Sequence, residues 1–313
     1  MRTVIVGVGG IGGFLGGRLA AGLSEERDQE LVLWCRGETL KNIREKGLTL
    51  LDQDGRATTV RPDLATNRAS DVGAADLVLF ATKSYDLEAA ILETAPFITE
   101  QTRVIPLLNG VCAVDLLEQH LPQADVLGGC IYTSSHVRSP GTVQAVGSVQ
   151  RLFFGKHGLS SVENRVRYAD VEQFLRKSGL QVTLTARIAV EMWSKFVFLS
   201  PFAAATTFYG RSIGAVLVDS EAFETVMGLI GELEALARAH KVPLPENIAD
   251  LTVEKARSFD STTRTSMQLD QEQGRMTELD CLIGYVCREA AAQNLPVPNY
   301  DRIYAALLET CRA

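Results

Sequence analysis

Glycines at positions 7, 9 and 12 are spaced G-x-G-x-x-G, directly after a short apolar run from Thr3 to Val6 and before a helical pattern. At a strand-to-helix turn each has its own task. Gly7 permits the tight turn, Gly9 lets the backbone approach a pyrophosphate held at the positive end of the helix, and Gly12 permits close helix packing. Gly7, Val8, Gly9, Gly10, Ile11 and Gly12 therefore form a candidate dinucleotide loop. Alone, a glycine-rich turn is also compatible with plain structure; the alternation of strands and helices that follows favours the ligand.

Apolar runs at Glu30 to Trp34, Asp76 to Ala81, Arg103 to Leu108 and Val126 to Ile131 alternate with helical patterns, as in a parallel sheet covered by crossover helices. Asp54-Gly55 predicts a hairpin between Leu48 to Leu51 and Thr58 to Arg61, and Pro140-Gly141 predicts a second. A polar helix is expected near Val162 to Lys177. From Arg187 onward the pattern is helical only, including a stripe from Phe223 to Ala237 behind the N-cap residue Asp219. The expectation is a Rossmann-like α/β domain over residues 1–185 and an all-α domain over 186–313.

The end of the second strand bears on cofactor type. An acidic residue there accepts hydrogen bonds from the ribose hydroxyls of NAD, whereas this chain reads Trp34-Cys35-Arg36. With no carboxylate between Leu31 and Gly37, Arg36 can pair with a 2′-phosphate, which favours NADP.

Lys plus Arg number 31 against 38 Asp plus Glu, a net charge of −7 that argues against nucleic acid as a partner. The most apolar later stretch, Phe196 to Tyr209, is short for a membrane span and contains Pro201. The cysteines at 35, 112, 130, 281, 287 and 311 show no close spacing of the zinc or redox-dithiol kind and read as reduced thiols. Four histidines without ligand spacing give no support to a metal site. A cytoplasmic protein is expected, and its helical domain offers apolar surface for a homodimer.

Lys195 is the one charged residue between Met192 and Gly210. Desolvation moves an ammonium toward proton donation, the task needed at a carbonyl oxygen as hydride reaches carbon. A lysine snorkelling at the edge of a core helix has the same pattern, and spacing leaves both open.

The chain resembles the ketopantoate reductase (2-dehydropantoate 2-reductase) family nearly end to end. The resemblance rests on ordered motifs: Gly7-Val8-Gly9-Gly10-Ile11-Gly12, Thr82-Lys83, Leu108-Asn109-Gly110, Trp193-Ser194-Lys195-Phe196, Ser266-Met267-Gln268-Leu269-Asp270 and Thr277-Glu278-Leu279-Asp280. It implies NADPH-dependent reduction of ketopantoate to pantoate, a step toward pantothenate and coenzyme A. Lys195 matches the family's catalytic lysine, and Glu278 its glutamate beside that lysine and the substrate hydroxyl. Ser266 matches a serine that binds the substrate carboxylate. Lys83 and Asn109 match cofactor-side positions, and Asn109 also meets substrate.

The pattern breaks on the lysine helix. Relatives carry substrate-contacting asparagines four and eight residues beyond the lysine, where this chain has Leu199 and Ala203. Two lost amides weaken selectivity for a hydroxylated keto acid. Ser194, Ser200, Thr206 and Thr207 are the nearby hydroxyls that can compensate. Two alternatives follow: a reductase of a more apolar 2-keto or imino acid, and a non-catalytic NADP-binding sensor.

Overall fold

The computed structural model describes residues 1–26 and 28–312, without the side chains of Ser148, Cys311 and Arg312. The expected thiol at Cys311 thus lies outside the described side chains. Contacts divide the chain into two units, Met1–Leu108 with Ala113–Ile188, and Asn109–Cys112 with Ala189–Ala313.

In the first unit, β1 (Arg2–Val6), β2 (Glu30–Trp34), β5 (Leu64–Thr66), β6 (Leu77–Phe80), β7 (Arg103–Pro106) and β8 (Asp125–Val126) form a parallel sheet in the order β5-β2-β1-β6-β7-β8. Its central strands carry consecutive apolar residues, Val4–Val6 in β1 and Leu77–Phe80 in β6, because both faces are covered. On one face Ile5, Leu33 and Leu79 join the core that includes helix α1 (Gly10–Gly22). On the other, Val4, Val6, Val78 and Phe80 meet residues of helices α3 (Leu87–Thr94) and α4 (Ala113–His120), while α2 (Gly37–Lys46) follows β2.

A second sheet runs β11-β10-β3-β4, built from β3 (Leu48–Leu51), β4 (Ala57–Val60), β10 (Thr142–Gly155) and β11 (Gln181–Leu184), with β9 (Gly128–Ser139) paired antiparallel to β10. Both predicted hairpins form, with Gly55 at φ 80° and Gly141 at φ 78°. The run from Val126 to Ile131, expected as one strand, is two. Val126 closes the parallel sheet against Val104, and Ile131 belongs to β9 opposite Leu152. Side chains on both sides of the break are buried, so hydropathy shows no join.

Helix α1 is packed against both sheets. A Cβ at Gly16 would meet Leu33 and Ile5 of the parallel sheet at 2.8 and 3.3 Å, while one at Gly13 would meet Val143 of β10 at 2.6 Å. The glycines past the loop therefore keep the helix thin. The polar helix α5 (Ser161–Arg176) begins with a capping box, in which Ser160 Oγ accepts from the Glu163 amide at 3.2 Å and Glu163 Oε2 from the Ser160 amide at 2.8 Å.

The second unit contains the helices α6 (Ile188–Tyr209), α7 (Ile213–Val218), α8 (Ser220–Ala239), α9 (Ile248–Arg257), α10 (Ser266–Glu272), α11 (Tyr285–Ala292) and α12 (Pro298–Arg312), plus a π turn at Asp280–Gly284. Asp219 caps α8 as its residue type predicts, accepting from the Ala222 amide at 2.9 Å. Helix α6 begins at Ile188, well before the apolar stretch noted in the sequence, and at 22 residues it is long and apolar enough to cross a membrane. Two-thirds of its most apolar window is buried, with Phe196, Val197, Phe202 and Ala204 inside the helical core, which accounts for its composition.

Candidate active site

The glycine loop has the geometry that its spacing implies. Gly7 has φ 92°, accessible at low cost only to glycine, and a Cβ there would sit 2.9 Å from the Thr82 backbone. A Cβ at Gly12 would fall 1.9 Å from the Gly7 carbonyl oxygen, so this turn closes only without a side chain. Gly9 differs from both. Nothing lies within 4 Å of a Cβ built there, and it precedes the first turn of α1, where unpaired amides favour an anion. Val8 and Ile11 are half-buried against the core beside α1. Gly10 lies against β9, where a Cβ would come within 2.5 Å of the Ser135 carbonyl oxygen.

Two polar residues around this loop had no signal in the G-x-G-x-x-G pattern. The hydroxyl oxygens of Thr82, against Gly7, and Ser135, against Gly10, are buried with no hydrogen-bond partner among the described residues. A buried hydroxyl without a partner costs about 1–3 kcal/mol, so a polar ligand at the loop would satisfy a real deficit. Open space at Gly9, an anion-favouring helix start and orphaned hydroxyls fit a dinucleotide pyrophosphate.

Arg36 is exposed at the N-cap of α2, and its guanidinium donates to Asp86 Oδ1 at 3.0 Å. Lys83 lies past the carboxyl end of β6, at the start of the short turn Ser84–Asp86 that carries this aspartate.

The second unit brings together side chains far apart in sequence. Lys195, half-buried on α6, donates from Nζ to Asn109 Oδ1 at 3.2 Å. Gly110, at φ 92°, turns the chain directly after Asn109. The sequence placed Lys195 on an apolar helix and Asn109 after a strand, and only the fold joins them. Glu278 is buried, at 4 % exposure, just ahead of the π turn, and its carbonyl accepts from the Leu282 amide at 2.9 Å. Ser266 opens α10 with an exposed side chain. The cap of that helix is Thr265, whose hydroxyl accepts from the Gln268 amide, so Ser266 is not used as the cap.

The described cysteines are free thiols, as expected, and the fold adds a proximity that spacing does not show. Cys112 and Cys281 show no pairing by spacing, yet their sulfurs are 3.3 Å apart, and the Cys281 thiol also lies 3.4 Å from the Asn109 carbonyl oxygen. The π turn carries Cys281 to this position, a distortion that hydropathy does not encode. Burial pushes the Cys35 and Cys287 thiols up to about 12, which keeps them protonated.

Asp270 is tied to Arg275, which donates from Nε at 2.8 Å, and Asp280 pairs with Arg288 and Tyr304, so both serve local structure. Of the hydroxyls near Lys195, Ser200 is engaged with the Leu282 carbonyl at 2.6 Å and the Tyr300 hydroxyl at 2.8 Å. Thr206 is engaged with the Phe202 carbonyl at 2.7 Å. Leu199 is half-buried against the apolar core and Ala203 is 1 % exposed.

A chain with one unit built around a glycine loop and an amide-held lysine in the other is an oxidoreductase by class. The model of the family described as "Ketopantoate reductase PanE/ApbA" matches residues 3–158, and that for "Ketopantoate reductase PanE/ApbA C terminal" matches 187–310. The chain belongs to the ketopantoate reductase family. It is 27 % identical over 307 residues to an uncharacterized oxidoreductase, YkpB, of Bacillus subtilis (strain 168), covering 98 % of each chain. It is 29 % identical to a 2-dehydropantoate 2-reductase of Halobacterium salinarum, covering 95 % of each. A PanE/ApbA family ketopantoate reductase structure from Ralstonia eutropha JMP134 superposes with a TM-score of 0.87 at 25 % identity, covering 100 % of this chain and 99 % of that one.

Proposed function

We propose that this oxidoreductase uses NADPH to reduce the 2-keto group of ketopantoate, giving pantoate for pantothenate and coenzyme A synthesis. The observation that carries the reading is the Lys195–Asn109 contact of 3.2 Å, with Lys195 the one charged residue between Met192 and Gly210. An ammonium has three donors and no acceptor. The amide oxygen orients Nζ by accepting one of them, and Lys195 uses another to protonate the substrate oxygen. Glu278 is read as the carboxylate that stabilises the ammonium and meets the product hydroxyl, and Ser266 as a donor to the substrate carboxylate. The loop Gly7–Gly12 would hold the pyrophosphate, Arg36 the 2′-phosphate, and Lys83 with Asn109 the nicotinamide side. When bound, the cofactor supplies the hydride. The first unit is thus read as the NADP-binding domain and the second as the catalytic domain.

A specific observation favours a second reading, a more apolar 2-keto or imino acid. Leu199 and Ala203 offer only carbon, while Ser200 and Thr206 already have partners. Thr207 lies twelve residues along α6 from Lys195, about 18 Å by helix rise, beyond the reach of a small acid held at the lysine. Purified protein given NADPH and ketopantoate should oxidise the cofactor steadily. Turnover of branched 2-keto acids alone would select the second reading, and cofactor binding without turnover of any keto acid would select a sensor. Installing the missing amide by Leu199→Asn is expected to raise kcat/KM for ketopantoate relative to a branched apolar keto acid by about three- to tenfold, one hydrogen bond's worth.

The protein is read as cytoplasmic, which the five unbridged thiols among the described residues support, with small molecules rather than nucleic acid or membrane as its partners. The helical unit is the surface proposed for a homodimer. Sedimentation of the purified protein tests the oligomer directly.

A further inference from the structure

We infer that Asp86 is a cofactor-selectivity residue: its carboxylate, paired with Arg36, makes the site accept NADH as well as NADPH. This rests on the reading of Arg36 as the contact to the ribose 2′ position. The two residues are 50 apart in sequence and are joined by the sheet. Strands β2 and β6 flank β1 in parallel, with Val6 level with both Trp34 and Phe80. Arg36, the glycine loop and the turn Ser84–Asp86 therefore leave the sheet at one end, with the loop's strand between the other two. There Asp86 Oδ1 comes within 3.0 Å of Arg36 Nη2.

This pair is no structural brace. The side chains are 67 % and 40 % exposed, and exposed ion pairs add little to stability. Its consequence is in the charge offered to a ligand. A guanidinium alone favours a phosphate dianion over a hydroxyl. A guanidinium beside a carboxylate offers nearly no net charge, and the carboxylate is also the acceptor that a ribose 2′-hydroxyl needs. A 2′-phosphate that reaches Arg36 must sit close to Asp86, and at about 5 Å in water that like-charge contact lowers affinity by about tenfold. Asp86 thus penalises NADPH and assists NADH. The absence of acid between Leu31 and Gly37 favours NADP in sequence, while the acid arrives from a different strand.

The test is a fluorescence titration of the full chain with NADPH and with NADH, for wild type, Asp86→Asn, Asp86→Glu, Arg36→Ala and Glu38→Gln. The wild type should bind both cofactors with dissociation constants within about tenfold of each other, and Asp86→Asn should shift the ratio toward NADPH by about tenfold. Asp86→Glu should keep the wild-type ratio, as should Glu38→Gln, which removes an exposed carboxylate two residues from Arg36 and so controls for net charge. A ratio for Asp86→Asn within about twofold of wild type overturns the proposal, as does a wild type that does not bind NADH. Arg36→Ala separates the two failures. If it lowers the preference for NADPH while Asp86→Asn does nothing, only the role of Asp86 is lost; if neither variant moves the ratio, the reading of Arg36 falls as well. Melting curves that overlay wild type establish that each variant is folded.

Discussion

Lys195→Ala is expected to lower kcat by about a thousandfold, or about 4 kcal/mol of transition-state stabilisation, with NADPH affinity retained. The size follows from what the side chain would do. A positioned general acid contributes about 10²–10⁴ in rate, and Lys195 is the ammonium donor that Asn109 orients. The split between turnover and binding follows from the fold. The cofactor loop belongs to the unit Met1–Leu108 with Ala113–Ile188, whereas Lys195 and its partner Asn109 belong to the other. Single-turnover rates and NADPH titrations read the two separately. Lys195→Met, which keeps most of the stem's volume, checks that any loss is chemical and not a packing defect. Unchanged turnover in both variants would remove Lys195 from the mechanism and return it to the snorkelling residue that its spacing also allows.

Asn109→Ala should share part of this loss. Without the amide oxygen at 3.2 Å the ammonium loses one orienting partner, so the expected effect is smaller than removing the ammonium itself.

Much of this architecture is legible because the central strands and the glycine loop obey local rules. Strand β1 is apolar at consecutive positions since both its faces are covered, and the loop needs glycines where a Cβ would strike backbone. What the sequence conceals is non-local or atypical. Leu64–Thr66 extends the parallel sheet with only three residues, too few to show a period. Leu127 joins two strands of different sheets, and its burial hides the change of direction. The acid facing Arg36 is not at the end of β2, where the dinucleotide fingerprint would put it, but in the turn after β6. Cys112 meets Cys281 across 169 residues, and Cys281 lies in a π turn that no propensity scale marks. Lys195 and Asn109 were each legible as candidates by family resemblance, but their contact is a property of the fold.

Alanine at Gly9 and alanine at Gly12 should separate binding from stability within one loop. At Gly12 the added methyl would fall 1.9 Å from the Gly7 carbonyl oxygen and 3.1 Å from Ala81 Cβ. Backbone cannot move aside as a flexible side chain can, so α1 must shift from both the sheet beneath it and the strands β9 and β10 that it contacts. Overpacking of this kind costs about 3 kcal/mol, enough to lower the melting temperature by about 6–12 °C for a folding unit the size of Met1–Leu108 with Ala113–Ile188. Gly9 has φ −88°, which alanine adopts readily, and nothing stands within 4 Å of the new methyl. Its melting curve should overlay the wild type. The methyl would, however, occupy the space assigned to the pyrophosphate, and affinity for both nicotinamide cofactors should fall by at least about tenfold. A stable Gly9→Ala protein that binds NADPH and NADH normally would mean that the open space is not the cofactor's, and the loop would then be left with the turn-forming role that its glycines can also play.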